Sequence, residues 1–490
     1  MRHLLHLLFT ILITIALLAP IGARADSLSA QLPDIGKVGS RVLSPRAEQA
    51  LGQEFMRSVR SRLTLLNDRP ATTYLQGLAD RLASSLQEEH APITVFLVND
   101  SSINAFAGPG GFIGVHTGLL LSARTEGELA SVLAHEIAHV TQRHLVRAFQ
   151  DSQRMSLPTM GALIAAIVLG GANPQVGEAV LATAVANNAQ QQLTHSRSSE
   201  QEADNIGLEM LANANFSPHA MVAFFEILQN KQTLTEFSAP EFLRTHPLTL
   251  GRIADASNRA AQYGAPIASD STYFHLIQAR IAALTQKPLP KMAISDKSKR
   301  SNADGIAAQQ YFQALQAAEQ GNFTRASELF THLTATNDHP VLFQYSAAQI
   351  ALSDNHPKKA HDILKQTLML FPGNVSLIEL YAESLLRLKR AEPALRVLKT
   401  TLRKHPKQFQ LYQLYSQAAT ALGQKAEAYR ALAEFHYGQG NLHQSIDYLE
   451  QALKTPNIAT YDRLSLQARQ DTLKTLVKQR ELPVVQEPEK

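Results

Sequence analysis

The apolar positions between residues 126 and 140 recur at the spacing of an α-helix. Glu126 and Glu128 lie near the start of this segment, where carboxylates favour a helix N-terminus. The apolar positions are Leu129, Val132, Leu133, Ile137 and Val140. The pattern therefore predicts a helix with one continuous apolar face.

A second pattern predicts a small β-sheet. Residues 93–99 are rich in β-branched and aromatic side chains, and residues 112–115 form a shorter run of the same kind. Pro109, Gly110 and Gly111 stand just before the second run and indicate a turn. Most of the remaining apolar positions follow helical spacing. We therefore expect a mainly α-helical protein in which the two runs pair.

The C-terminal part of the chain repeats with a period of 34 residues. The small residues in phase are Ala326, Ala360, Ala394 and Ala428, with glycines five positions earlier at Gly321 and Gly423, and prolines near unit ends at Pro340, Pro372 and Pro406. This pattern resembles the tetratricopeptide repeat, a helix-turn-helix unit that stacks into a solenoid. Asn355 and Lys389 replace the glycine and predict weaker turns, and Gly440 follows at half a period, as in a capping unit. Coincidence among ordinary helical hairpins is the alternative.

Residues 1–25 carry the three parts of a secretory signal peptide. Arg2 supplies a charge near the start, residues 4–19 are an apolar stretch, and residues 23–25 (Ala-Arg-Ala) form a small-residue cleavage pattern. A retained membrane anchor is the competing interpretation, but the stretch is shorter than the ~20 residues that a spanning helix prefers. We therefore expect a soluble protein of the periplasm.

Composition excludes several classes of function. The chain has 46 Lys+Arg against 42 Asp+Glu, and loss of Arg2 and Arg24 with the signal peptide leaves a net charge near zero. Without a basic block, nucleic acid is not expected as a main partner. The absence of cysteine excludes disulfides and cysteine-based catalysis.

The candidate chemistry lies on the first predicted helix. His135 and His139 are one turn apart on one face, so their imidazoles can bind one metal ion. Glu136 stands beside the first histidine, where it can reach a metal-bound water. A surface helix with two unrelated histidines is the alternative.

A second acidic helix offers a third ligand. Glu200 and Asp204 lie one turn apart downstream, so one carboxylate can complete a His2Glu site while the other orients a ligating imidazole. Taken alone, this acidic helix is most simply explained as a solvated face.

Together, these two motifs resemble the M48 metallopeptidases. The resemblance implies one zinc ion per chain bound by His135, His139 and Glu200, with Glu136 as the general base. Ala138 stands where the family has glycine, which is a small-for-small change.

Two further segments match the same family. Residues 104–115 resemble its active-site edge strand, so Asn104, Ala105 and Phe106 are candidate substrate-binding residues. Residues 245–252 resemble its His-Pro segment, which makes His246 and Arg252 candidates for catalysis. His246 either stabilises the transition state or occupies the fourth position on zinc and switches the resting enzyme off.

The chain is expected to divide into a signal peptide (1–25), a zincin-like metalloprotease domain (26–286), a linker (287–305), a tetratricopeptide-repeat solenoid (306–480) and a disordered tail (481–490). The apolar segment 155–190 is too interrupted to span a bilayer and predicts a buried hairpin or a flap over the site.

This organisation resembles the periplasmic members of the family that act in outer-membrane assembly. The resemblance implies a zinc endopeptidase with chaperone-like activity. Its partners would be the outer-membrane β-barrel assembly machinery and misassembled barrel proteins such as the lipopolysaccharide transport protein LptD. The alternative function is a non-proteolytic assembly adaptor in which only the repeats act.

Overall fold

The computed structural model of the chain describes residues 44–86, 91–148, 160, 164, 197–234, 240–263, 271–290, 299–336 and 340–481. This part is mainly α-helical with one small sheet, which confirms the predicted fold class. The predicted signal peptide (1–25), nearly all of the predicted flap (155–190) and the tail beyond Glu481 lie outside the described residues. Among the described helices, none combines the length and apolarity that crossing a bilayer requires.

The first part of the described chain contains the sheet and a set of mostly short helices. Its helices are α1 (Pro45–Arg62), α2 (Arg69–Ala83), α3 (Thr117–Ser122), α4 (Glu126–Thr141), α5 (His144–Ala148), α6 (Arg197–Asn213), α7 (His219–Leu234), α8 (Phe242–Thr245), α9 (Leu250–Ala260) and α10 (Thr272–Leu284). Its strands are β1 (Thr94–Val98), β2 (Ala105–Ala107) and β3 (Phe112–His116).

The sheet has the order β1-β3-β2. Strand β3 pairs in parallel with β1, which confirms the predicted pairing, and antiparallel with β2. Phe106 of β2 lies opposite Gly114 of β3, and a Cβ on Gly114 would come within 2.3 Å of the Phe106 ring. The glycine therefore lets the aromatic ring lie across the central strand, which sets the position of β2.

Helix α4 is the buried centre of the first part, and it forms where the apolar pattern predicted. Thr125 precedes it, and its hydroxyl accepts a hydrogen bond from the backbone N–H of Glu128 at 3.2 Å. Nearly every side chain of the helix is buried, against α2, α6, α7 and β2. The helix is therefore packed on all sides and does not face solvent along one stripe.

The second part is a stack of antiparallel helices, as the 34-residue period predicted. They are α11 (Lys299–Glu319), α12 (Phe323–Thr336), α13 (Pro340–Ser353), α14 (Pro357–Leu370), α15 (Val375–Arg387), α16 (Ala391–Lys404), α17 (Leu411–Ala421), α18 (Lys425–Gly438), α19 (Leu442–Leu453) and α20 (Thr460–Glu481). The four in-phase alanines are buried, because each lies where neighbouring helices approach most closely.

The turns between repeat helices share one backbone conformation. Gly321, Gly423 and Gly440 have positive φ, and so do Asn355 and Lys389, at 57° and 58°. Asn355 and Lys389 therefore keep the shape of the turn, but a residue with a side chain adopts this left-handed conformation at a higher energetic cost than glycine. After Gly440, Ser445 takes the small position, and its buried hydroxyl donates a hydrogen bond to the Ala433 carbonyl at 2.6 Å.

The two parts are joined more closely than a linker at 287–305 predicts. Helix α11 already begins at Lys299, so the last seven residues of the predicted linker are helical. A single apolar core contains residues of α2, α4 and α10 together with Tyr311 of α11 and Phe343 of α13. Composition indicated a linker here, but the packing of α11 against α10 continues the core across it.

A buried ion pair lies at this junction. The Arg280 guanidinium of α10 is fully buried and lies 2.7 Å from Asp68, the N-cap residue of α2. It also donates hydrogen bonds to the Tyr311 hydroxyl at 3.2 Å and to Ser346 at 3.1 Å, both in repeat helices. One side chain therefore connects α2 and α10 of the first part to the first two repeats.

Replacing Arg280 with methionine should lower the free energy of unfolding by about 3–5 kcal/mol, because Asp68 is left as a buried charge without its partner. Urea unfolding followed by far-ultraviolet circular dichroism measures this loss. Arg325→Met is the matched control, since it removes an exposed ion pair with Glu328 and should cost less than about 1 kcal/mol. Equal losses in the two variants would contradict the importance assigned to the junction.

Candidate metal centre

Helix α4 presents two imidazoles to one point. His135 and His139 are both buried, and their Nε2 atoms lie 3.0 Å apart. The spacing of four residues places the rings one above the other on the same face, as predicted from the sequence. Their convergence within the protein interior is the basis of the site.

Helix α6 brings a carboxylate to the same point. Glu200 is buried, with its oxygens 3.5 Å from His135 Nε2 and 3.5 Å from His139 Nε2. Gly207 of α6 lies at the contact with α4, where a Cβ would come within 2.9 Å of the end of the Met221 side chain and 3.4 Å of the His135 backbone nitrogen. The packing of α6 on α4 brings Glu200 to the histidines.

His246 closes the cluster from a third segment, immediately after α8. Its Nδ1 lies 3.3 Å from His135 Nε2 and 3.0 Å from Glu200 Oε1. Its backbone N–H donates to the Phe242 carbonyl at 2.9 Å, and the Phe242 ring stacks on the imidazole with centroids 4.7 Å apart. The segment therefore holds His246 in a fixed position against the other three residues.

A layer of charged groups supports these residues. Asp204 lies one turn after Glu200, and its Oδ1 is 3.0 Å from His135 Nδ1. Arg252 of α9 donates two hydrogen bonds to the Asp204 carboxylate, both at 2.8 Å, and lies 2.7 Å from Glu200. Since Arg252 is buried and engaged by both carboxylates, its charge stabilises the acidic residues of α6.

The ionisation of the site follows from these contacts. Burial alone would lower the pKa of the His135 imidazole, but hydrogen bonds with Asp204 and Glu200 raise that pKa to about 10. Burial also opposes ionisation of Glu200, yet the neighbouring His246 and His135 hold the pKa of its carboxyl well below the usual range. The centre therefore attracts positive charge.

The donor set fits a divalent cation. One donor atom from each of His135, His139, Glu200 and His246 lies within 4.8 Å of the others. Ligands around a tetrahedral zinc at ~2.0–2.1 Å are separated by roughly 3.3 Å, which is close to the distances between these donors.

Charge balance favours the same conclusion. Three buried carboxylates, those of Glu136, Glu200 and Asp204, surround the point where the imidazoles converge, and Arg252 is the buried cation beside them. When the imidazoles act as metal ligands they are neutral, and with the three carboxylates ionised two negative charges then remain uncompensated. A divalent cation compensates both.

Glu136 stands apart from the four clustered residues. It is fully buried, and its Oε1 lies 3.5 Å from His246 Nε2. Burial raises the pKa of its carboxyl, and the neighbouring imidazoles of His246 and His135 offset that rise only in part. A carboxylate of raised pKa beside a metal centre suits proton transfer.

The predicted substrate-binding residues lie at the edge of the sheet. Asn104, Ala105 and Phe106 are all buried, and the Phe106 side chain packs with Phe55 and Phe96 in a separate apolar cluster. In the described part of the chain, β2 pairs with β3 on one side and with no strand on the other. All three residues, backbone included, are buried at this edge.

Sequence reasoning missed His144, which lies against His139. The Nδ1 atoms of the two rings are 2.7 Å apart, and His144 is buried. The available signal was a third histidine within ten residues, at 135, 139 and 144. That signal was insufficient alone, because the five-residue spacing between His139 and His144 does not place the two side chains on one helical face.

Comparison with known proteins agrees with this site. The model of peptidase family M48 matches residues 70–260, and that of the tetratricopeptide repeat matches residues 351–418. The β-barrel assembly-enhancing protease of Escherichia coli K12 is 33% identical over 465 residues, which covers 94% of each chain.

Two further relatives differ in the share of the chain that they match. A putative β-barrel assembly-enhancing protease of Vibrio cholerae is 33% identical over 468 residues, covering 94% of this chain and 96% of its own. The bovine mitochondrial metalloendopeptidase OMA1 is 32% identical over 157 residues, covering 31% of this chain and 29% of its own. With the buried His and Glu cluster, these matches show that the chain belongs to the M48 metallopeptidases and carries tetratricopeptide repeats after its peptidase domain.

Proposed function

We propose that the protein is a zinc-dependent endopeptidase in which His135, His139 and Glu200 hold the metal and Glu136 is the general base. The observation that carries the proposal is the convergence of three neutral or anionic donors beside a buried carboxylate of raised pKa. Bound zinc lowers the pKa of a coordinated water toward ~7 and polarises a carbonyl group.

The protein's own residues divide the remaining work. Glu136 accepts a proton from the attacking water and delivers it to the leaving amine. Asp204 fixes the orientation of the His135 ring through its Nδ1. Arg252 holds Asp204 and Glu200 in place, so we assign it a positioning role instead of direct stabilisation of the oxyanion.

His246 serves in this proposal as a reversible fourth ligand. Its Nδ1 is as close to His135 Nε2 and to Glu200 as the other donors are to one another. While His246 keeps this position, the resting enzyme is switched off, and a client that displaces residues 240–246 opens the site. The rival role, transition-state stabilisation, uses the same histidine from a different position.

The substrates are proposed to be extended protein segments. In this proposal a substrate pairs with the backbone of β2, an edge strand beside helix α4 whose buried residues are first uncovered. Such pairing requires no particular side chains in the substrate. Recognition by backbone suits unfolded β-strands, which is consistent with the names of the relatives. We therefore propose misassembled outer-membrane β-barrels such as LptD as clients, a periplasmic location, and the barrel assembly machinery as partner.

The repeats are proposed to recruit these partners in a chaperone-like role. A cavity of about 700 Å³ lies among α16, α17, α18 and α20, lined by Tyr412 and Tyr415 and by charges of both signs. Aromatic and mixed-charge walls suit a polypeptide segment. The predicted alternative, a purely non-proteolytic adaptor, leaves the buried charges of the metal centre without a role.

Zinc added to the chelator-treated protein should raise its melting temperature. At a free zinc concentration of 100 Kd the stabilisation is about 2.7 kcal/mol. His135→Ala should remove most of the shift, since it deletes a ligand. Differential scanning fluorimetry measures both proteins, and an equal shift in the variant would place the metal elsewhere.

Glu136→Gln should reduce cleavage of an unfolded barrel protein by about 10²–10⁴-fold, because the base is lost, while bound zinc is unchanged. Glu128→Gln is the matched control, since it changes a buried carboxylate of the same helix and should retain most activity. Cleavage rates from gel electrophoresis and the zinc content of each protein are compared for wild type and the two variants. Equal cleavage by wild type and Glu136→Gln would contradict the proposed mechanism and favour the non-proteolytic adaptor function.

His246→Ala should raise basal proteolysis, because water gains the fourth position. The rate on one unfolded substrate, compared with wild type at equal zinc content, measures the effect. A clear drop in rate would reject the switch and favour the transition-state role.

A further inference from the structure

The chain reverses sharply after helix α4, and the reversal places a third histidine against the metal centre. Arg143 has a φ of 53°, in the left-handed region, and its N–H donates to the Val140 carbonyl at 3.0 Å. The Arg143 guanidinium lies 2.7 Å from Glu48 of α1, which holds this uncommon backbone conformation. Helix α5 then starts with His144, whose ring returns to His139.

The short contact between the imidazoles of His139 and His144 determines which ring nitrogen carries the shared proton. Their Nδ1 atoms are 2.7 Å apart, with ring centroids 4.8 Å apart and planes at 72°. Two neutral imidazoles at this distance share a single N–H. The His139 Nε2 faces the other candidate ligands, so a metal bound there leaves the proton of His139 on Nδ1, where it donates to His144.

The second nitrogen of His144 completes the chain of hydrogen bonds. With its Nδ1 accepting, neutral His144 carries its proton on Nε2, which lies 3.0 Å from the Glu202 carboxylate. Glu202 comes from α6, the helix that supplies Glu200, and also lies 3.7 Å from Arg147. Every donor along this line has an acceptor.

The two histidines of α4 are therefore supported differently. His135 Nδ1 lies directly against the Asp204 carboxylate at 3.0 Å. His139 Nδ1 is connected to a carboxylate, that of Glu202, through the imidazole of His144. In both cases a carboxylate of α6 orients a ring of α4, and metal-binding histidines generally require such a partner.

We propose that His144 is a positioning residue that fixes the tautomer and orientation of His139, with Glu202 as its anchor. The inference rests on the proposed zinc function and adds to it a second support for the metal. Loss of such an orienting partner typically weakens metal affinity about 10–100-fold.

Three variants of the full chain test the proposal. His144→Phe keeps the ring but removes the acceptor, and should weaken zinc affinity about 10–100-fold. His144→Asn places its Oδ1 where Nδ1 stood, so it should keep affinity within about 3-fold of wild type. His275→Phe is the matched control, since it replaces another buried histidine, in α10, and should leave affinity unchanged.

Zinc dissociation constants come from competition with a chromophoric chelator, and the visible spectrum of the cobalt-substituted protein reports the ligand geometry. A changed cobalt spectrum in His144→Phe that is restored in His144→Asn supports positioning over simple packing. Wild-type affinity in His144→Phe overturns the inference. If His144→Phe does not fold, Glu202→Ala decides, because it removes the acceptor for His144 Nε2, and a zinc affinity equal to wild type in that variant rejects the hydrogen-bond chain.

Failure of this proposal is distinguishable from failure of the proposed function. A wild-type protein that binds no stoichiometric zinc rejects the zinc enzyme itself. A wild-type protein that binds zinc tightly, with the same constant in His144→Phe, rejects only the role of His144.

Discussion

The ion pair between Arg252 and the two carboxylates of helix α6 is the interaction on which the centre depends. Glu200 and Asp204 are buried one turn apart, so their mutual repulsion is not relieved by solvent. Arg252 binds both, at 2.7 and 2.8 Å. With that cation in place, one carboxylate can face the metal position while the other orients His135. Losing one partner of such a buried pair costs far more than losing an exposed one.

The packing of helix α6 on helix α4 determines where the site residues lie. The packing of α6 on α4 brings Asp204 to His135 and Glu200 to His139. Burial then performs two functions. It strengthens the attraction for a cation, and it raises the pKa of Glu136. A core that continues from the peptidase part into the repeats gives this centre a rigid support.

Periodicity made much of this structure predictable. The apolar spacing of α4 and the 34-residue repeat depend on neighbours along the chain, and both patterns were read correctly. Contacts between distant segments were not predictable in the same way. The pairing of Arg252 with Asp204 and the return of His144 to His139 depend on helix packing and on a left-handed residue at Arg143. The linker prediction failed at Lys299 because polar composition does not reveal a helix held by its partner.

X-ray absorption at the zinc edge of the resting full-length protein tests the centre most directly, because it counts imidazole ligands. Convergence of His135, His139 and His246 with Glu200 predicts three imidazoles and one carboxylate. It also predicts two imidazoles and a water oxygen in place of the third after removal of the His246 side chain. A resting spectrum with two or fewer imidazoles, unchanged by that removal, would contradict the closed centre described here.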